Sequence, residues 1–139
     1  MTPQELQART KAFALRAIKL VDALPRSLAT QVIGRQLLRS ATSVGANYRA
    51  ACRAQSRPEF AAKLSIVVEE TDESLYWLEL IQESKLIKSE LLTGIIKEAN
   101  ELVAIMLASR KTAKTVGRLA NRKSTIENRQ LPEPRSDPL

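Results

Sequence analysis

The chain has 139 residues, 44% hydrophobic but only 4% aromatic, and a formal charge of +7. Such a chain is long enough for one domain with one core and too apolar to remain unfolded. Scarce aromatics leave Ala, Leu, Ile and Val to fill that core. Four glycines, with no Asn-Gly, Asp-Gly or Gly-Gly dipeptide, give no hairpin signal, so helices packed on helices are expected.

A first helix is predicted over about residues 4–24, where Leu6, Phe13, Ala17, Leu20 and Leu24 recur at helical spacing. Leu24-Pro25 ends it, because the residue before a proline is pushed out of the α region. A second helix is predicted over about 27–55, with Ile33, Leu37, Ala41, Val44, Tyr48, Ala51 and Cys52 on one face. Its middle, Ser40 to Ala46, is rich in small residues. Gly45 costs a helix about 1 kcal/mol relative to Ala, and close approach of a neighbouring helix would compensate.

Ser56 and Glu59 form the S-x-x-E pattern of a capping box, with Pro58 in the first turn of a third helix. Phe60, Leu64, Val67, Ser74, Leu78 and Ile81 mark its core face, and it is expected to end near Glu83. Leu86 and Ile87 should plug the end of the bundle. A fourth helix is predicted over about 89–113, with Ser89 as N-cap and Leu92, Ile95, Ile96, Ala99, Leu102, Val103 and Met106 facing inward. Beyond it the apolar pattern fails. Residues 1–114 read as an antiparallel up-down four-helix bundle, all-α, and residues 115–139 as a flexible basic tail.

Catalytic equipment is not legible. There is no His, the usual acid–base group near neutral pH. Cys52 is the lone cysteine and falls on the apolar side of the second helix, which reads as a buried, inert thiol. No Gly-rich phosphate loop occurs. Acidic residues cluster on the third helix, and Glu70 and Glu73 can share a face, but the Glu-x-x-His pairs of a bundle metal site are missing. Ion pairing or solvation is the simpler role. The expectation is no enzyme, no cofactor and no metal. A single cysteine, no basic-then-apolar N-terminal segment and no long apolar run predict a cytoplasmic protein with no membrane partner.

Charge is unevenly spread. Residues 24–57 carry six arginines and no acid, whereas residues 58–88 carry three lysines and seven acids. On a helical wheel Arg35, Arg39, Arg49, Arg53 and Arg57 fall in one stripe about 30 Å long, opposite the apolar face. Arginine's planar fork suits phosphate oxygens, so the stripe could track a nucleic-acid backbone, with Arg118, Arg122 and Lys123 assisting. It could equally pair with the acidic third helix, in the same or a neighbouring subunit, or be merely solvated. No aromatics interleave it, so base stacking is not indicated.

Three stretches carry a resemblance: Gly34 to Arg49, Ser56 to Phe60 with Lys63-Leu64, and Glu70-x-x-Glu73-x-x-Tyr76-Trp77-Leu78. Together they resemble the four-helix-bundle proteins encoded in intervening sequences of bacterial large-subunit ribosomal RNA genes. Those are similar in fold to the accessory protein of diversity-generating retroelements. The resemblance implies a ring-like homopentamer, a role with RNA or DNA, and no enzymatic activity. A reverse transcriptase partner would follow by fold analogy only. Ala50 departs from the glutamate that often follows this motif's arginine, which leaves the second helix more positive. Asn47 is expected to satisfy polar groups between helices. Tyr76 and Trp77 are expected at a subunit or helix interface, or in the core. A protein-only scaffold remains the competing reading.

Overall fold

A computed structural model describes the backbone of residues 1–130 and the side chains of residues 1–123. It contains four helices: α1 (Pro3–Ala23), α2 (Leu28–Cys52), α3 (Arg57–Glu83) and α4 (Glu90–Gln130). Each packs against its chain neighbours, and α4 closes the ring on α1, so the bundle runs up-down-up-down.

The helix boundaries follow from local chemistry. Thr2 caps α1 in a full capping box with Glu5, and Ser27 caps α2 in another with Thr30. At α3 the box is only half made. The Ser56 hydroxyl accepts the Glu59 amide at 3.2 Å, but Glu59 reaches one residue further back and accepts from the Gln55 amide at 3.0 Å. Leu24, held extended by Pro25, terminates α1 as expected. After the C-cap Ser84, Lys85 takes φ 56°, the left-handed conformation that glycine usually supplies at this point.

Phe13, Ala17, Leu37, Ala41, Val44, Leu64, Val67, Leu78, Ile81, Leu92, Ala99, Leu102 and Met106 form the dry centre, and Leu86 and Ile87 pack against its end. Four small hydroxyl residues are fully buried among them. Thr10, Ser40, Thr71 and Ser74 each donate to the carbonyl four residues back on their own helix, at 2.6–3.0 Å. That satisfies the hydroxyls without a cross-helix partner and lets the backbones approach. At Gly45 the α1 backbone lies close, since a Cβ there would be 3.3 Å from Thr10 Oγ1 and 3.4 Å from the Thr10 carbonyl carbon. Close approach therefore compensates the glycine, as the small-residue run implied.

Two expectations are corrected. α4 does not stop near 113. It continues to Gln130, through much of the stretch read as a flexible tail from 115; residues 131–139 lie outside the described residues. Cys52 is exposed rather than buried, because it sits at the last turn of α2, where the bundle ends.

Candidate nucleic-acid interface

The arginine stripe divides in two. Arg39 reaches sideways to α3, where it pairs with Glu70 at 3.2 Å and, at shorter range, with Glu73. Those hydrogen bonds hold the Glu73 carboxyl below its ordinary range, with the Arg39 bond the largest cause and burial opposing it. Glu73 also accepts from Trp77 Nε1 at 3.4 Å. Glu70 and Glu73 thus act as intramolecular ion-pair partners. Arg35, Arg49, Arg53 and Arg57 are exposed and have no acid partner among the described residues.

The stripe also gains an extension. Arg57, at the start of α3, lines a cleft with Lys114, Gly117, Arg118 and Asn121 of α4. Ala113, Gly117 and Ala120 of α4 line the same cleft as Pro58 and Ala61 of α3. Arg118, Arg122 and Lys123 are exposed on the helix rather than in a loop. From residue 110 to 123 α4 carries six cations and no acid. One end of the bundle, holding Arg49, Arg53, Arg57, Lys114 and Arg118, is therefore strongly basic.

The remaining site residues are less directed at a ligand. Asn47 does not bridge helices. Its amide donates to the Ser43 carbonyl at 2.9 Å and the Ser43 hydroxyl at 2.8 Å, inside α2. Tyr76 is about half exposed and stacks tilted on the half-buried Trp77, with ring centroids 5.1 Å apart. Tyr48 is buried beside Cys52. Burial first, and the Cys52 sulfur second, push its phenol above the ordinary range, so it stays protonated.

One ion-pair cluster had no signal in the sequence. Arg9 on α1 donates to both oxygens of Glu98 and to Glu101 on α4, at 2.5–3.1 Å. The Glu98 carboxyl is held low chiefly by Arg9, against the opposing effect of burial. Only wheel positions are readable from a chain, and they do not say which helices will be neighbours.

Among the described residues no group of three His, Cys, Asp or Glu side chains could hold a metal ion. Among them, too, no helix is long and apolar enough to cross a membrane. The guanidinium groups of Arg35, Arg49, Arg53 and Arg57, without acid partners among the described residues, are suited to binding anions.

No curated protein matches the chain. The chain is similar to a crystal structure of a protein with unknown function from the S23 ribosomal protein family of Bacteroides thetaiotaomicron VPI-5482. Identity is 34%, the TM-score is 0.73, and the match covers 80% of this chain and 99% of that one. The family model for the 23S rRNA-intervening sequence protein matches residues 4–108, and so stops short of the cationic stretch of α4. On these grounds the chain belongs to the 23S rRNA-intervening sequence protein family.

Proposed function

We propose that this protein is a non-enzymatic, homo-oligomeric binder of nucleic-acid backbones, acting through the basic end of the bundle. One observation carries the reading: among the described residues Arg35, Arg49, Arg53 and Arg57 stand exposed without acid partners, while Arg39, on the same face, is already paired. Unpaired arginines on a rigid helix can meet phosphates at fixed spacing, and release of counterions from the nucleic acid drives such binding. The cations of α4 extend the same surface. Contacts of this kind position a backbone and read little sequence, so RNA and DNA duplexes should both bind. The family description names 23S rRNA, which makes a ribosomal RNA hairpin the natural first ligand. Assembly into a ring, pentameric as the family resemblance implies, would repeat the basic surface and raise avidity.

The test is fluorescence anisotropy with a labelled RNA hairpin across a salt series. Binding should weaken steeply as salt rises. Arg49→Glu, Arg53→Glu and Arg57→Glu together should flatten the log–log slope by about 2–3, at about 0.9 for each phosphate no longer neutralised. Unchanged affinity in a folded triple variant of wild-type mass would end this reading. The engagement of Arg39 by Glu70 and Glu73 favours a second one, a protein-only scaffold whose arginines join subunits. In that case the triple reversal lowers the mass measured by light scattering, and the wild type binds no RNA.

A further inference from the structure

α1 and α4 are antiparallel, and their register can be read from two places. Arg9 pairs with Glu98 and Glu101, and a Cβ at Gly94 would meet the end of Arg16. Counting along both helices, the start of α1 at Pro3 falls opposite roughly residue 106 of α4. α3 reaches further, since Pro58 and Ala61 share a cleft with Gly117 and Ala113. Between about residues 106 and 117, α4 therefore has α3 on one flank and, among the described residues, no helix on the other. The vacant seat is about 17 Å long, three helical turns.

That seat is an apolar groove of about 540 Å³ lined by Phe60, Ala108, Thr112, Ala113 and Val116, with Arg57 at its edge. Leu119 continues the strip at helical spacing and is 59% exposed; Val116 is 41% exposed. Both lie beyond the residues that the family model matches.

We infer that this groove docks an acidic amphipathic helix of a partner protein, laid end to end with α1. Geometry makes the occupant helical, because the groove continues the position that α1 holds in the bundle. Charge makes it acidic. Arg57 borders the groove, Lys123 lies one turn past Leu119, and every charged residue among 110–123 of α4 is a cation. Among the described residues, the acids nearest this end already hold partners: Glu5 accepts from the Thr2 amide, Glu59 from the Gln55 amide, and Glu101 pairs with Arg9. A second copy inserting its own α4 would set six cations against six, which disfavours self-pairing. A polynucleotide would answer the charge but leave Phe60, Val116 and Leu119 uncovered. This inference does not rest on the nucleic-acid reading, since Val116 and Leu119 have no part in it.

The test uses the full chain and three labelled peptides of about 14 residues, three to four turns. One has leucines along one face and glutamates elsewhere; one replaces its leucines by serine; one replaces its glutamates by lysine. The Leu/Glu peptide should bind and the other two should not. Val116→Gln with Leu119→Gln removes the strip without changing charge. It should weaken the Leu/Glu peptide about tenfold or more, roughly 1.4 kcal/mol, and leave RNA-hairpin affinity unchanged. Equal binding of the Ser/Glu peptide, or no effect of the double variant, overturns the proposal. So does a wild-type dimer in sedimentation velocity that the double variant dissolves, which would make a second copy the occupant.

Discussion

Gly45 and Gly94 both lie in helices, so replacing either with a residue bearing a Cβ should bring a similar propensity gain, about 1 kcal/mol for Ala. Their surroundings differ. At Gly94 a Cβ meets only Arg16 Nη2, at 2.9 Å, the free end of an exposed side chain that can swing aside. At Gly45 it meets α1 backbone, with the Thr10 carbonyl carbon at 3.4 Å and the Lys11 nitrogen at 3.5 Å. Valine would carry methyl groups about 1.5 Å beyond that Cβ, into the α1 backbone. Gly94→Ala should therefore stabilise by about 1 kcal/mol, and Gly45→Val should destabilise by about 2–3 kcal/mol through overpacking. At about 3 °C per kcal/mol for a chain of this size, the melting temperatures should rise by about 3 °C and fall by about 6–9 °C. Thermal melts followed by circular dichroism at the helix band decide it. A Gly45→Val protein that melts at or above wild type would refute the close α1–α2 packing.

Acid should weaken the bundle through Glu98 and Glu73. Their folded pKa values are depressed below the ordinary 4.5, so the unfolded chain takes up protons first as pH falls. Their contribution is complete above the unfolded value and is lost as pH drops through the folded one. Melting temperature should fall with pH below about 4.5, and Glu98→Gln should flatten that fall; an identical acid limb in the variant would count against the Arg9 pairing. Lys85→Gly should raise stability by about 1 kcal/mol in chemical denaturation, because a left-handed residue is relieved of its Cβ; a decrease would contradict the helix C-terminus described.

Much of the bundle is legible from apolar spacing, since Phe13, Leu37, Leu64, Leu78 and Leu102 all reach the centre on the faces their periodicity gives. Position along the axis is not legible in the same way. Cys52 shares the core-facing side of α2 yet emerges, because periodicity fixes direction and not depth. The continuation of α4 is hidden for another reason. Its face toward α3 is Ala113, Gly117 and Ala120, half-buried small residues that give almost no hydrophobic signal. Wheel angle placed Arg39 with the other arginines, but a side chain that long can turn to an acidic neighbour. The opposite charges of residues 24–57 and 58–88 carried that information in a diffuse form, without naming the pair.

The buried hydroxyls bear on how the helices hold their alignment. Thr10, Ser40, Thr71 and Ser74 bond only within their own helices, so at these four positions the interior resists separation without a directional bond against sliding. Alignment then falls to three devices: the notch at Gly45, Arg9 clasped by Glu98 and Glu101, and Arg39 clasped by Glu70 and Glu73. Each clasp sets one guanidinium between carboxylates a single turn apart, which works as a detent. A slip of one turn, about 5.4 Å, would empty it. In this bundle the apolar interior supplies cohesion, while the two clasps and the glycine notch set which turn faces which.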